Sequence, residues 1–297
     1  MPVATTVAAL GGWATWGELR DHHGARAIRR ALGTGEVIRT GRGRYAVSTL
    51  TDHRRLAADC RGVLSHLSAA MHHGLRVKSV PQVAWITIPR NRGTRRHMPE
   101  RVHLHRADVE ATWRVATPPL RTVVDCARTL PFDEALAVAD SALRSRLVTP
   151  ASLRAAARQA RGPGAVAVRR VAAAADGRAA NPLESVLRAL ALEEGLHLTP
   201  QLQIAEPGLF AVVDLGSRAL GLVLEAEGYE THGTRAGLRR DCKRHTEFTV
   251  FALASMRYAY EHVMFEQAWV RWTLRSWQDT RAGRPVGPAP VMSLRAA

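Results

Sequence analysis

Two acidic positions stand at the ends of two apolar runs that lie close together in the sequence. Asp214 ends one β-branched run, and a second run, 220–224, ends in Glu225, Ala226 and Glu227. Carboxylates at the mouths of two neighbouring strands suit Mg²⁺ or Mn²⁺, because such cations are usually bound by one or two protein carboxylates, waters and phosphate oxygens. This stretch therefore predicts metal-assisted chemistry. The alternative is a hairpin that carries solvated acids at its end.

The residues that follow supply a base and cations. His232 lies a few residues beyond Glu227, and its ordinary pKa, about 6.5, suits proton transfer at neutral pH. On the helix predicted beyond it, Asp241 could accept the second ring proton and fix the tautomer. Arg240 and Arg244 on the same helix could bind a phosphate group. An acid pair, a base and phosphate-binding cations together indicate phosphodiester chemistry.

The order of these residues resembles a known family. From Asp214 through Glu225-Ala226-Glu227 and His232 to Arg240-Asp241, the chain is similar to the nucleases of the PD-(D/E)XK superfamily, in particular to the very-short-patch repair endonucleases. The resemblance covers roughly residues 181–277. It implies an α-β-β-β-α-β-α core, two acids and the Ala226 carbonyl around Mg²⁺, and hydrolysis of phosphodiester bonds in double-stranded DNA.

Two features depart from the pattern of that superfamily. Glu227 stands where the superfamily commonly has Lys, so it cannot supply a positive charge, although its carboxylate could add a metal ligand. A tight turn at residues 217–218 would also offset Asp214 from Glu225 by about four residues, or roughly 13 Å at about 3.3 Å per residue. We therefore expect the hairpin to splay or bulge at this point.

The helix predicted before these strands begins with a capping pattern. Asn181 as the cap, Pro182 in the first turn and Glu184 three residues after the cap are typical of a helix start. Glu184 keeps two interpretations, because capping alone explains it and the superfamily often has a metal-binding acid on its first helix. The other elements predicted here are strands over 198–204, 210–215, 220–227 and 250–258 and helices over 234–248 and 260–277.

The first 50 residues predict a winged helix-turn-helix. Thr15 and Glu18 form a capping-box pattern, and the predicted hairpin 37–47 turns on Gly41-Arg42-Gly43. Four arginines lie on the second helix and the wing, where they could contact DNA, namely Arg26, Arg29, Arg30 and Arg42. The alternative is a protein-binding module with solvated arginines.

Residues 51–160 predict a mixed α/β region. Its elements are strands over 83–88 and 102–105 and helices over 118–129, 133–144 and 150–159. Together with the first 50 residues, the region resembles the abortive-infection type IV antitoxin family through GEVIRTGRGRYAV, LSHLSAAMHHGL and TPPLRTVVDCARTL. That resemblance implies a fold and DNA binding but no catalytic residue.

The length, hydrophobic fraction and net charge of the chain limit the number of domains and the class of binding partner. A chain of 297 residues, 46% of them hydrophobic, predicts two or more domains with real cores, and the order of the predicted helices and strands predicts the α+β class. We expect an Ala/Arg-rich linker over 161–180, an endonuclease-like domain over 181–280 and a tail over 281–297. The net charge of +16 indicates a polyanion such as DNA, although a general Arg and Ala bias explains part of it.

Cysteine usage and hydropathy favour a soluble cytoplasmic protein with no membrane partner. Cys60, Cys126 and Cys242 lack C-x-x-C spacing, and no run reaches the roughly 18 apolar residues of a membrane span. Two hypotheses follow from the whole chain. The first is a Mg²⁺-dependent endonuclease delivered by a winged helix, and the second is a DNA-binding antitoxin or transcriptional regulator with an inactive nuclease-like domain.

Overall fold

The computed structural model describes residues 2–10, 12–41, 43–91, 101–110, 113, 115–227 and 235–292, without the side chains of 41, 44, 50, 235–238 and 240. About half of the chain is helical and the strands form several small sheets, so the predicted α+β class is confirmed. The chain divides into two compact units, residues 1–177 (unit 1) and 178–297 (unit 2).

Unit 1 begins with short helices and a three-stranded antiparallel sheet in the order β1-β3-β2. Its first elements are α1 (Val3–Ala9), β1 (Trp13–Thr15), α2 (Trp16–His22), α3 (Ala25–Gly33), β2 (Val37–Gly41) and β3 (Arg44–Val47). The predicted capping box starts α2, since Glu18 N–H donates to Thr15 Oγ1 at 3.2 Å and Thr15 N–H donates to Glu18 Oε2 at 2.7 Å. Ile28 is fully buried on the inner face of α3.

The rest of unit 1 packs helices against a sheet in the order β4-β5-β6. Its elements are α4 (Thr49–Asp59), β4 (Val63–Leu64), α5 (His66–His72), β5 (Ala84–Pro89), β6 (Val102–Ala107), α6 (Pro119–Thr129), α7 (Phe132–Arg144), α8 (Pro150–Gln159) and α9 (Ala165–Ala174). Residues 161–180, which the sequence predicted as a linker, differ in the structure. They contain α9, whose Val168 and Val171 are buried in the core of unit 1. Alanines on every side of α9 obscure its periodicity in the sequence.

His66 is a buried imidazole at the start of α5. Its backbone is left-handed, with φ of 46°, and its ring contacts Ser65 Oγ at 2.9 Å and Thr129 Oγ1 at 3.3 Å. Burial, with a smaller effect from the positive charges of His105, His103 and Arg121, lowers the pKa of His66 to about 3. The folded chain therefore keeps this ring neutral at pH values where the unfolded chain protonates it.

We expect this depressed pKa to make unit 1 acid-sensitive. Between pH 6.5 and the folded pKa of about 3, the unfolded state binds the extra proton, so stability is lost as pH falls through this window. At pH 5 the depressed pKa of His66 lowers the free energy of unfolding by about 2 kcal/mol, at about 1.4 kcal/mol per pKa unit.

The substitution His66→Asn tests this prediction, because Asn tolerates a left-handed backbone and does not titrate. Urea unfolding at pH 7 and pH 5 should show that the variant loses about 2 kcal/mol less than the wild type on acidification. The same change at His197, an exposed residue, is the control. Equal losses in the wild type and the His66 variant would contradict the prediction.

Unit 2 contains a four-stranded sheet between helices. Its elements are α10 (Pro182–Glu193), β7 (Thr199–Glu206), β8 (Leu209–Ser217), β9 (Leu222–Glu227), α11 (Arg235–Val250), β10 (Ala254–Ala259), α12 (Tyr260–Phe265) and α13 (Gln267–Arg281). The strand order is β10-β9-β8-β7, in which β10 runs parallel to β9 and the other pairs are antiparallel.

Successive residues of β9 face the two sides of this sheet. Leu224 packs in a buried cluster with residues of α10, α12 and α13, whereas Val223 packs with Phe248 of α11. Because side chains alternate along a strand, Glu225 lies on the same face as Val223, which α11 covers. The sheet therefore presents the central acid of β9 to the basic helix α11.

Two predicted element bounds in unit 2 were wrong. The strand predicted over 250–258 begins only at Ala254, because α11 continues to Val250 and Ala252 turns the chain with φ of 54°. The helix predicted over 260–277 is two helices, since the backbone of Glu266 is not helical, with φ of −114° and ψ of 42°.

The helices also bear on the prediction that no segment spans a membrane. None of those in the described part of the chain combines the length and the apolar character needed to cross a lipid bilayer.

Candidate functional site

The turn between β8 and β9 decides how close the two predicted acids lie. It spans residues 218–221 and closes with a bond from Gly221 N–H to the Arg218 carbonyl at 3.1 Å, with Gly221 at φ of 61°. The strand pairing runs from Ser217 opposite Leu222 to Leu215 opposite Leu224. Asp214 and Glu225 are the next positions opposite each other in this register, so the predicted offset of roughly 13 Å was wrong because the turn is centred two residues further along the chain than 217–218.

Asp214 and Glu225 each bond to the backbone of the opposite strand. Asp214 N–H donates to Glu225 Oε2 at 3.3 Å, and Ala226 N–H donates to Asp214 Oδ2 at 2.8 Å. The carboxylates thus replace the regular strand pairing beyond Leu215, where the predicted splay would lie. Two carboxylates are held side by side at one point of the sheet.

The electrostatics of this pair favour a cation. Burial and then the charge of Asp214 together raise the pKa of Glu225 to about 7, against the opposing effect of the Arg244 guanidinium. Burial likewise raises the pKa of Asp214, with Glu227 acting in the same direction and the Ala226 N–H opposing it. A positive charge beside the pair would relieve both effects.

Two arginines form ion pairs with the acids of this region. Arg244 of α11 forms an ion pair with Glu225 and donates to the Val212 carbonyl at 3.0 Å. Arg257 of β10, in register with Glu225, donates from Nε to Glu227 at 2.8 Å and lies 3.5 Å from Asp241 Oδ2. The predicted residues Asp241, Glu227 and Arg244 therefore do converge here, with Arg257 between the first two.

Glu184 is buried at the first turn of α10 and takes part in the capping of this helix, whose cap residue is Asn181. Its N–H donates to Asn181 Oδ1 at 3.0 Å, and its Oε2 accepts from Ala180 N–H at 2.8 Å. The amide of Gln201 also donates to Glu184 Oε2 at 3.0 Å and to Asp214 Oδ1 at 3.4 Å. Glu184 is thus linked to the acid pair through Gln201 as well as taking part in the capping.

Three residues of this region were not predicted from the sequence. Gln201 has a left-handed backbone, with φ of 51°, that aims its amide between two acids. Arg257 reaches the site from β10, and His245 of α11 contacts Ser255 Oγ at 3.0 Å. Burial lowers the pKa of His245, as do the charges of Arg257 and Arg244. In the sequence, only the alternation of side chains along β10 indicates the position of Arg257, because residues two apart, such as Ser255 and Arg257, lie on the same face of a strand.

The other predicted residues fall in two groups. Arg26, Arg29 and Arg30 are exposed on α3, away from its buried Ile28. His232 and Arg42 lie outside the described residues, and so does the side chain of Arg240. The geometry above therefore bears on the acids and not on the predicted base.

The donor set fits a hard divalent cation. Among the described residues, no group of three or more His, Cys, Asp or Glu is arranged to hold a metal ion. Two adjacent carboxylates, both with a raised pKa, are nevertheless the oxygen donors Mg²⁺ takes, with waters and phosphate oxygens completing its shell. Asp214, Glu225 and the Ala226 carbonyl would form that set.

Comparison with known proteins adds two relatives. No family model matches the chain. It is similar to two uncharacterized proteins of Mycobacterium tuberculosis, MT2308 of strain CDC 1551 / Oshkosh and Rv2248 of strain ATCC 25618 / H37Rv. Each is 37% identical over 135 residues, or 44% of this chain and 49% of the relative. The chain thus spans about half the length of the curated relatives it matches.

Proposed function

We propose that this chain is a Mg²⁺-dependent or Mn²⁺-dependent endonuclease that hydrolyses phosphodiester bonds in double-stranded DNA. The observation that carries the proposal is the adjacent pair of carboxylates, the half-buried Asp214 and the buried Glu225, with the guanidinium of Arg244 beside them. Unit 2 would then have the PD-(D/E)XK core of the very-short-patch repair branch. The order of its strands and helices and the position of the acids support this assignment.

The residues of the site would have different roles in hydrolysis, and the acids would hold the cation. A cation held by Asp214, Glu225 and the Ala226 carbonyl would polarise the scissile phosphate and stabilise the leaving oxygen. Glu184 acts on Asp214 through the shared Gln201 amide.

The remaining predicted residues serve proton transfer and phosphate binding. His232 would accept the proton of the attacking water, and Asp241 would orient that imidazole. Arg240 and Arg244 would bind phosphate oxygens. Arg257 would bring a guanidinium to the position where Glu227 replaces the usual Lys, since it lies 2.6 Å from the Glu227 carboxylate.

We further propose that residues 1–50 form a winged helix-turn-helix that binds duplex DNA. Support comes from the exposed arginines of α3 and from the net charge of +16. The resemblance to abortive-infection type IV antitoxins agrees with this role. A cytoplasmic location fits the cysteines, since Cys60, Cys126 and Cys242 are free thiols.

Changing Arg26, Arg29 and Arg30 together to Ala should weaken duplex binding and flatten its salt dependence. Each phosphate that the variant no longer neutralises lowers the slope of log K against log salt by about 0.9, because fewer counterions are released. Adding Arg42→Ala should extend the effect. Fluorescence anisotropy across a salt series measures both quantities.

A control with the same change of charge uses Arg154, Arg158 and Arg169, which are exposed on α8 and α9 of the same unit. It should leave the salt slope close to that of the wild type. If the α3 variant keeps the wild-type affinity and slope, or if both variants lose equally, α3 is not the DNA-binding element.

The nuclease proposal is tested by incubating the purified protein with supercoiled, linear and single-stranded DNA in Mg²⁺, Mn²⁺ or EDTA. Cleavage of duplex forms with either cation and none in EDTA supports the proposal. Cleavage confined to single strands would correct the substrate.

A second candidate is a DNA-binding antitoxin or transcriptional regulator whose unit 2 is inactive. The observation that favours it is the internal neutralisation of the acids, because Arg244 pairs with Glu225 and Arg257 bridges Glu227 and Asp241. A protein that binds DNA and cuts none of the three forms would establish this candidate in place of the enzyme.

A further inference from the structure

Arg244 is committed to the same carboxylate that the proposed cation needs. Its guanidinium pairs with Glu225, which is only 6% exposed, and donates to the Val212 carbonyl at 3.0 Å. It thus reaches from α11 across β8 and β9. Phe248, one turn further along α11, supports the guanidinium at 5.4 Å from its ring centroid.

The bonding of Arg244 is incomplete in this position. Its Nε is buried and has no hydrogen-bond partner among the described residues. A buried donor without an acceptor is costly, so an additional anion at this guanidinium would be favourable. Arg257 differs, because it holds Glu227 and Asp241 at once.

A divalent cation and the Arg244 guanidinium compete for Glu225 on physical grounds. Both require the oxygens of Glu225, and a guanidinium beside a doubly charged ion is repelled. Cation binding would therefore release Arg244 from Glu225. A released guanidinium offers a planar set of donors that matches two oxygens of a phosphate group.

We propose that Arg244 is an exchangeable counterion of Glu225, which the divalent cation displaces and which then binds a backbone phosphate of DNA. This inference rests on the proposed function of unit 2. It makes cation binding and DNA binding cooperative, and by linkage each strengthens the other by the same factor. The cation at Glu225 and the contact of Arg244 with phosphate then form together, when both the cation and DNA are bound.

The test uses Ca²⁺, a cation that also takes oxygen ligands, and measures its binding and the binding of DNA separately. Calorimetry gives the affinity for Ca²⁺ without DNA, and anisotropy gives the affinity for a labelled duplex with and without Ca²⁺. The wild type should bind the duplex about tenfold more tightly in Ca²⁺, a coupling of ordinary size. The variant Arg244→Met keeps the aliphatic stem against Phe248 and removes the charge.

Arg244→Met should bind Ca²⁺ about tenfold more tightly without DNA, because the competing cation is gone. Its Ca²⁺ enhancement of duplex binding should be smaller than that of the wild type, because only the direct contact of the cation with phosphate remains. Arg244→Lys keeps a competing charge but not the planar fork, so its Ca²⁺ affinity should stay near that of the wild type while the enhancement falls. Arg218→Met, which removes the partner of Glu206 on β7, is the matched control and should change neither quantity.

The outcomes separate this inference from the proposed function. If wild type and Arg244→Met bind Ca²⁺ with equal affinity and show equal enhancement, the exchange is overturned and the metal site stands. If neither protein binds Ca²⁺, Mg²⁺ or Mn²⁺, the metal site and the exchange both fail.

Discussion

Asp214→Asn is expected to lower metal-dependent cleavage by about a thousandfold or more, since a catalytic cation supplies several kcal/mol and each 1.4 kcal/mol is about tenfold in rate. The variant should still fold, because the Asn carbonyl can accept the Ala226 N–H that Asp214 accepts at 2.8 Å. Removing one of two adjacent charges also removes a repulsion that raises the pKa of Glu225. Loss of cleavage would therefore reflect the lost ligand.

The measurement is the single-turnover cleavage rate at saturating DNA, with the duplex affinity measured in parallel. Asp279→Asn, an acid of unit 2 that pairs with Arg284, is the control and should keep the wild-type rate. A variant at Asp214 that cleaves like the control would show that Asp214 is not a metal ligand.

His232→Ala is expected to reduce the cleavage rate by about 10²- to 10⁴-fold, the usual contribution of a positioned base, with little change in Mg²⁺ affinity. Asp241→Asn should have a smaller effect, because the imidazole remains in place. The double variant should be little worse than His232→Ala, since two residues that act as one unit are not additive. Single-turnover rates of the three variants, with Mg²⁺ titrations, measure these effects.

The ion pair of Asp241 calls for a further variant. Asp241 lies 3.5 Å from Arg257, so Asp241→Asn also changes the charge around that guanidinium. Arg257→Met separates the two roles, because it removes the guanidinium while Asp241 keeps its carboxylate. Additive effects of His232→Ala and Asp241→Asn would contradict a shared role in proton transfer.

Sequence reasoning located the acid pair because its signal is local. Apolar runs that end in Asp214 and Glu225 predict two strands with carboxylates at their ends, although the acids lie within β8 and β9 and not at their ends. The position of the turn was misjudged, because the sequence does not show that residues 218–221 form a turn closed by a left-handed Gly221. A two-residue error there moves the acids by about four residues along the strands.

The supporting residues were missed because their positions depend on contacts between distant segments. Gln201 reaches Glu184 and Asp214 only through its left-handed backbone, which Gln rarely adopts. Arg257 meets Glu227 only because β10 pairs with β9 in parallel and in register. Neither the parallel pairing nor the register can be read from the spacing of residues along one chain.

The most direct test of the central claim is a time course of supercoiled DNA cleavage by wild type and Asp214→Asn, prepared identically and started with Mg²⁺. A metal-dependent nuclease site at Asp214 and Glu225 predicts nicked and linear products from the wild type that stop forming when EDTA is added, and none above background from the variant. Equal cleavage by both proteins, or DNA binding by the wild type without cleavage in Mg²⁺ or Mn²⁺, would contradict it.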